Sequence, residues 1–121
     1  MATLHQKLTV VIVLAALGGA IWSGYAAYKA RVAGRLRAAG WVMTGALVLQ
    51  AATGVALALG GNRPAEQLHF IVGPLTLLGL PIALLAGRGR SPRTEGLIAF
   101  GGWLLTFGLS LRAAGTGRLA A

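Results

Sequence analysis

The sequence predicts an all-α integral membrane protein, a four-helix up-down bundle that forms a single domain over residues 1–121. Hydrophobic residues make up 56% of the chain and charged residues 11%, against roughly 25% charged in a typical soluble domain. The apolar residues form four stretches, and short basic clusters separate them. A soluble domain of this size needs far more polar surface, so we expect this chain to lie in a lipid bilayer.

Each apolar stretch has about the length needed to cross a membrane as a helix, which is roughly 20 residues. The expected spans cover residues 5–28, 38–60, 67–87 and 94–112. The fourth has the fewest strictly apolar residues, and it reaches the required length only when Thr94 and Arg112 lie in the interfaces. The first also resembles a cleaved signal peptide, but its apolar run is too long for a usual signal.

Small residues and prolines add detail to these spans. Small residues four apart allow helices to approach closely, although a chain with 19 glycines also produces such pairs by chance. The pairs are Ala15/Gly19, Ala20/Gly24 and Gly54/Ala58. Pro74 and Pro81 lie inside the third span and each removes a backbone donor, so we expect that helix to bend.

Basic residues predict the orientation. Four lie around the first loop and three around the third, whereas the opposite side has four in all. Because basic loops stay in the cytoplasm, we expect both termini outside, in the inner membrane of a bacterial or archaeal cell. The seven cytoplasmic residues are Lys29, Arg31, Arg35, Arg37, Arg88, Arg90 and Arg93. Four aromatic residues, Trp22, Tyr25, Tyr28 and Trp41, are expected to form an interfacial belt beside them.

The composition excludes several classes of chemistry. The chain has no cysteine, which removes disulfides, thiolate metal sites and thiol nucleophiles. Its two carboxylates, Glu66 and Glu95, lie in or beside loops, so paired-carboxylate catalysis inside the membrane is not expected. The net charge of +9 lies beside apolar spans, which indicates membrane loops and no nucleic-acid partner.

The two histidines are the most informative polar residues. His5 begins the first span and His69 begins the third, and these spans run in the same direction. Both side chains are therefore expected at one membrane depth near the outer surface, on helices that lie diagonally in a bundle. This arrangement suits a heme b with His5 and His69 as its two iron ligands. The alternative is that each histidine is only an interfacial residue.

Other residues fit the same interpretation. Gly54 on the second span and Gly73 on the third would leave room for a flat macrocycle. Arg63 and Arg112 lie on the outer side, where they would pair with the heme propionates.

The stretch from His5 to about residue 85 resembles one four-helix half of the heme A synthase family. The features that resemble the family are an early histidine, the arginine-rich segment 31–37, the pattern Gln50-Ala-Ala-Thr-Gly54, and Leu68-His69 opening the next helix. The resemblance implies that His5 and His69 are axial heme ligands. Ala2 and Gln6 stand where the active half of that family has its catalytic glutamate and an arginine. The family's cysteine pair is also absent, so full heme A synthesis is not expected.

Three functions are compatible with these sequence features. The first is a small b-type membrane cytochrome, acting as an electron carrier or as a heme-bearing subunit of a respiratory complex. The second is a heme-free structural or assembly subunit. The third is an oxidase-type enzyme in which a homodimer recreates the eight-helix architecture. We expect a heme-binding or electron-transfer protein rather than an autonomous enzyme. A transporter is less favoured, because no span carries a charge in its middle.

Overall fold

The described part of the chain forms four α-helices. The computed structural model describes residues 2–61 and 69–116, and within the helices every side chain except those of residues 2, 69, 70, 72 and 113–116. The helices are α1 (Ala2–Lys29), α2 (Gly34–Leu59), α3 (His69–Ala86) and α4 (Pro92–Thr116). The predictions of an all-helical chain and of four helices are confirmed.

Helices α1, α2 and α4 are long and apolar enough to cross a membrane. Helix α4 has 25 residues, so the fourth span reaches the required length, and the described part of α3 has 18. Pro74 and Pro81 both lie inside α3, which continues through them. The described apolar part of α3 is Gly73–Ala86, and the expected start of this span at residue 67 lies outside the described residues.

Two of the basic residues that were expected in the first loop lie in α2 instead. Because α1 ends at Lys29 and α2 begins at Gly34, Arg35 and Arg37 belong to α2 and not to a loop. Arg93 likewise lies in the first turn of α4. Ala30 takes a φ of 52°, and the Arg31 N–H donates to the Ala26 carbonyl at 2.9 Å. This left-handed turn satisfies a terminal carbonyl and ends α1.

Small residues bring α1 and α4 into close contact. A methyl group at Gly96 of α4 would lie 2.8 Å from the backbone N and Cα atoms of Ala27, so only glycine fits there. Gly19 lies directly beneath the Trp103 ring, where a side chain would overlap it. Of the three predicted small pairs, Ala15/Gly19 contributes only Gly19, because Ala15 is exposed.

Residues from all four helices form the core. Its buried members are Ile12, Ala16, Ala20, Met43, Leu47, Leu80, Ala99 and Trp103. Each helix contacts two others: α1 and α3 both pack against α2 and α4. Many large apolar side chains remain exposed on the outside of this bundle, including Leu14, Ile21 and Val42 at 64%, 66% and 73% exposure.

An ion pair joins α2 and α4 at the end where both helices begin. The Arg37 guanidinium donates two hydrogen bonds to the Glu95 carboxylate, from Nε to Oε2 at 2.6 Å and from Nη2 to Oε1 at 2.8 Å. This two-point geometry fixes the relative position of the two side chains as well as joining opposite charges.

Replacing Gly96 by alanine should destabilise the protein by about 1–3 kcal/mol, because the added methyl group overlaps the Ala27 backbone. Reversible unfolding in detergent, followed by circular dichroism, measures this loss. Gly101→Ala is the matched control on the same helix, since a Cβ there meets no described atom within 4 Å. Equal stability of the two variants would contradict the close α1–α4 packing.

Candidate functional site

Four polar side chains gather where the start of α1 lies against the last turns of α2. They are His5, Thr9, Gln50 and Thr53, which we call the His5 cluster. The three-residue spacing from Gln50 to Thr53 places both on one face of α2, and the four-residue spacing from His5 to Thr9 does the same on α1. Such a cluster inside an apolar bundle needs a hydrogen-bond partner for each polar atom.

The contacts of Thr53 favour one tautomer of the His5 ring. The His5 Nδ1 atom lies 2.8 Å from Thr53 Oγ1, and that hydroxyl also lies 2.8 Å from the Gln50 carbonyl oxygen. The carbonyl can only accept, so it receives the single hydroxyl proton. Both contacts are hydrogen bonds only if Nδ1–H donates to Thr53. In the neutral imidazole the lone pair is then on Nε2.

Gln50 bridges the two helices through its amide. Its Nε2 group donates to the His5 carbonyl at 2.9 Å and to Thr9 Oγ1 at 2.6 Å, while Thr9 Oγ1 donates to the same carbonyl. Because the carbonyl accepts from the amide, the nitrogen must face α1. The Gln50 Oε1 atom is buried and has no hydrogen-bond partner among the described residues.

Gly54 provides the space that the His5 ring occupies. A methyl group at Gly54 would lie 3.2 Å from His5 Cε1, closer than an ordinary van der Waals contact. The glycine therefore lets the imidazole lie close to the α2 backbone, and the structure brings these two predicted site residues together.

The other predicted site residues lie elsewhere or outside the described part. Gly73 is on α3, with no described atom within 4 Å of the position a Cβ would take. Arg112 is exposed on α4. His69 is the first residue of α3, but its side chain, like all of Arg63, lies outside the described residues. No group of three or more His, Cys, Asp and Glu side chains that could hold a metal is present in residues 2–61 and 69–116.

The sequence reasoning did not assign Thr9 and Thr53 to the site. The sequence does contain an indication of both, because each is a polar residue in an apolar span, one turn from His5 or Gln50. What was missing was the contact between α1 and α2, since His5 and Thr53 are 48 residues apart.

The geometry defines a class of protein: a four-helix bundle, three of whose helices are apolar enough to cross a membrane, with a histidine-centred polar cluster between α1 and α2. Comparisons with known protein families, with curated proteins and with solved structures found no match. The likeness to heme A synthases consequently rests on the spaced residues alone.

Replacing Thr53 by valine should destabilise the protein by about 1 kcal/mol, since it leaves His5 Nδ1 without its interhelical partner. Chemical unfolding in detergent measures the change. Thr44→Val is the matched control, because the Thr44 hydroxyl bonds only within α2, to the Gly40 carbonyl at 2.9 Å. A loss of stability as large in Thr44→Val would show that the interhelical bond contributes nothing.

Proposed function

We propose that this chain is a small b-type membrane cytochrome that holds one bis-histidine heme b near the outer face of an inner membrane. The axial ligands are His5 and His69. The chain crosses the membrane four times as an up-down bundle, with both termini outside. Its role is electron transfer, alone or as a heme-bearing subunit of a respiratory complex, or as a homodimer.

The exposed apolar surface supports the membrane placement. Large apolar side chains on all four helices are accessible, such as Leu14 on α1, Val48 on α2, Ile82 on α3 and Leu105 on α4. An aqueous protein of this size would bury such residues, whereas lipid solvates them. The described part of α3, with 18 residues, extends roughly 27 Å.

Interhelical contacts support the up-down arrangement. The start of α1 contacts the end of α2 through His5 and Thr53, and the start of α2 contacts the end of α3 through Gly40 and Leu84. Helices α1 and α3 then both begin at one end of the bundle. In this arrangement the backbone positions of His5 and His69 would lie at similar depth.

The single observation that carries the heme proposal is the 2.8 Å contact between His5 Nδ1 and Thr53 Oγ1. A metal-binding histidine usually donates its second ring N–H to a fixed acceptor, which sets the tautomer and holds the ring. Thr53 would fill that role, and Nε2 would then be the nitrogen that binds the iron. Gly54 lets the ring approach α2, and no side chain at Gly73 would obstruct a planar group.

A heme with two histidine ligands supplies one-electron transfer and leaves no coordination position open for oxygen. The residues of the chain would hold and orient it. His5 and His69 would bind the iron from two different helices. Thr53 and Gln50 would hold the start of α1 in place. The heme propionates would pair with Arg63 and Arg112.

A second candidate is a heme-free structural or assembly subunit. The observation that favours it is that the His5 cluster already ties α1 to α2 by direct hydrogen bonds. A histidine used in this way stabilises the helix pair without any ligand.

A reduced-minus-oxidised visible spectrum of protein purified from heme-replete cells separates the two candidates. The cytochrome should show a low-spin b-type spectrum with one heme per chain. His69→Ala should give a high-spin or heme-free protein, and His5→Ala should do so more weakly if water replaces the imidazole.

Gln6→Ala is the control for this experiment, because Gln6 is the exposed neighbour of His5 and should leave the spectrum unchanged. A wild-type protein without a Soret band would favour the heme-free subunit. Retention of a bis-histidine spectrum by both histidine variants would show that the ligands were assigned wrongly.

The proposed orientation is tested with epitope tags. A tag at either terminus should be removed by protease added to intact spheroplasts, because the basic loops hold the opposite end in the cytoplasm. A tag inserted after Gly89, in the α3–α4 turn, is the internal control and should stay protected. The opposite pattern would place the His5 cluster on the cytoplasmic side.

A further inference from the structure

Both short connections of the bundle lie at one end. The Arg37–Glu95 ion pair joins the starts of α2 and α4 there, at 2.6 Å. Gly96 lies against Ala27 at the end of α1. The residues that link α1 to α2 and those that link α3 to α4 therefore form one continuous surface, which we call the basic end.

The basic end carries an excess of positive charge that the described residues do not balance. The one carboxylate there, Glu95, is occupied by Arg37. Six further basic side chains are exposed, with no ion pair to a described residue: Lys29, Arg31, Arg35, Arg88, Arg90 and Arg93. At the opposite end the described basic residues are only Lys7 and Arg112.

Aromatic side chains connect this charge to the apolar belt. The Lys29 ammonium lies 5.9 Å from the Tyr25 ring centre and 5.6 Å from that of Tyr28. Both tyrosines are exposed, at 61% and 78%. Because tyrosine prefers the depth of the lipid headgroups, the basic side chains lie at or just beyond that depth. A partner for this surface must be anionic and must itself belong to the bilayer surface.

We infer that the basic end is a binding surface for the headgroups of anionic phospholipids. Arg37 and Glu95 hold the two connections together, and the six remaining cations present their charge toward the phosphate layer. Guanidinium groups form paired hydrogen bonds with phosphate oxygens, which suits the five arginines among them. The inference rests on the proposed membrane placement and is independent of heme. It goes beyond orientation during insertion, which needs no bound lipid in the folded protein.

Tryptophan fluorescence offers a direct test. Trp22 and Trp41 are 39% and 42% exposed in the halves of α1 and α2 nearer the basic end, whereas Trp103 is only 3% exposed. Purified protein is reconstituted in bilayers containing equal fractions of brominated phosphatidylglycerol or brominated phosphatidylcholine. The ratio of quenching by the two lipids gives the relative association constant. We expect phosphatidylglycerol to be favoured several-fold at low salt.

Arg31→Gln/Arg88→Gln removes one charge from each connection. A basic side chain near an anionic surface is worth about fivefold in affinity, so removing two should lower the preference at least about threefold, even with partial screening by salt. Lys7→Gln/Arg112→Gln removes the same charge from the other end and should keep the preference. Arg31→Lys/Arg88→Lys preserves charge and should retain most of the preference, which separates the loss of charge from the loss of the arginine side chains.

Three results would overturn the inference. One is an unchanged preference in Arg31→Gln/Arg88→Gln, and another is an equal loss in Lys7→Gln/Arg112→Gln. The third is displacement of phosphatidylglycerol by inorganic phosphate, beyond the effect of sodium chloride at equal ionic strength, which would indicate a free-phosphate site. No quenching by either lipid would instead remove the membrane placement itself.

Discussion

The close approach of α1 and α4 is the constraint on which the rest of the structure depends. In the proposed membrane placement, helices gain little by burying apolar side chains against each other, so association relies on van der Waals packing at short distance. Gly96 against Ala27 and Gly19 beneath Trp103 provide that distance at two levels. The Trp103 ring then fills the centre of the core.

Helix α2 is held in a different way. Polar contacts fix it near both ends, through Thr53 and Gln50 to the first turns of α1 and through Arg37 to Glu95 of α4. A polar group that loses its partner in hydrocarbon finds no water to replace it, so these contacts specify a position rather than adding only stability. Because the Arg37–Glu95 pair is partly exposed, it adds little to stability. Its main effect is to fix the position of α2 relative to α4.

This arrangement has a consequence for the proposed heme. The ring of His5 belongs to α1, yet it lies against Thr53 and Gly54 of α2. The helix that orients the ligand is thus a different one from the helix that carries it. In this proposal α2 serves the site without supplying iron ligands, and its attachment at the basic end keeps it in register with the bundle.

The helical class and the number of helices were predictable from the sequence, which also singled out two residues that prove to be in contact, His5 and Gly54. Long apolar stretches separated by basic residues are enough for the first two, because backbone hydrogen bonds must be satisfied internally in lipid. Which faces of the helices meet is evident only from the folded bundle. The helices are apolar nearly all round, so the periodicity of the sequence does not distinguish an inner face from a lipid-facing one.

Because the sequence does not show which face is inward, only one member of the predicted pair Ala15/Gly19 lies at a helix contact. Gly19 does, and Ala15 is exposed. For the same reason, the hydrogen bond between His5 and Thr53 and the ion pair between Arg37 and Glu95 were not predicted. Their partners lie 48 and 58 residues apart, and packing of whole helices brings them together. The local sequence determines whether each segment forms a helix. The rotation of each helix about its axis depends on the shapes of its neighbours.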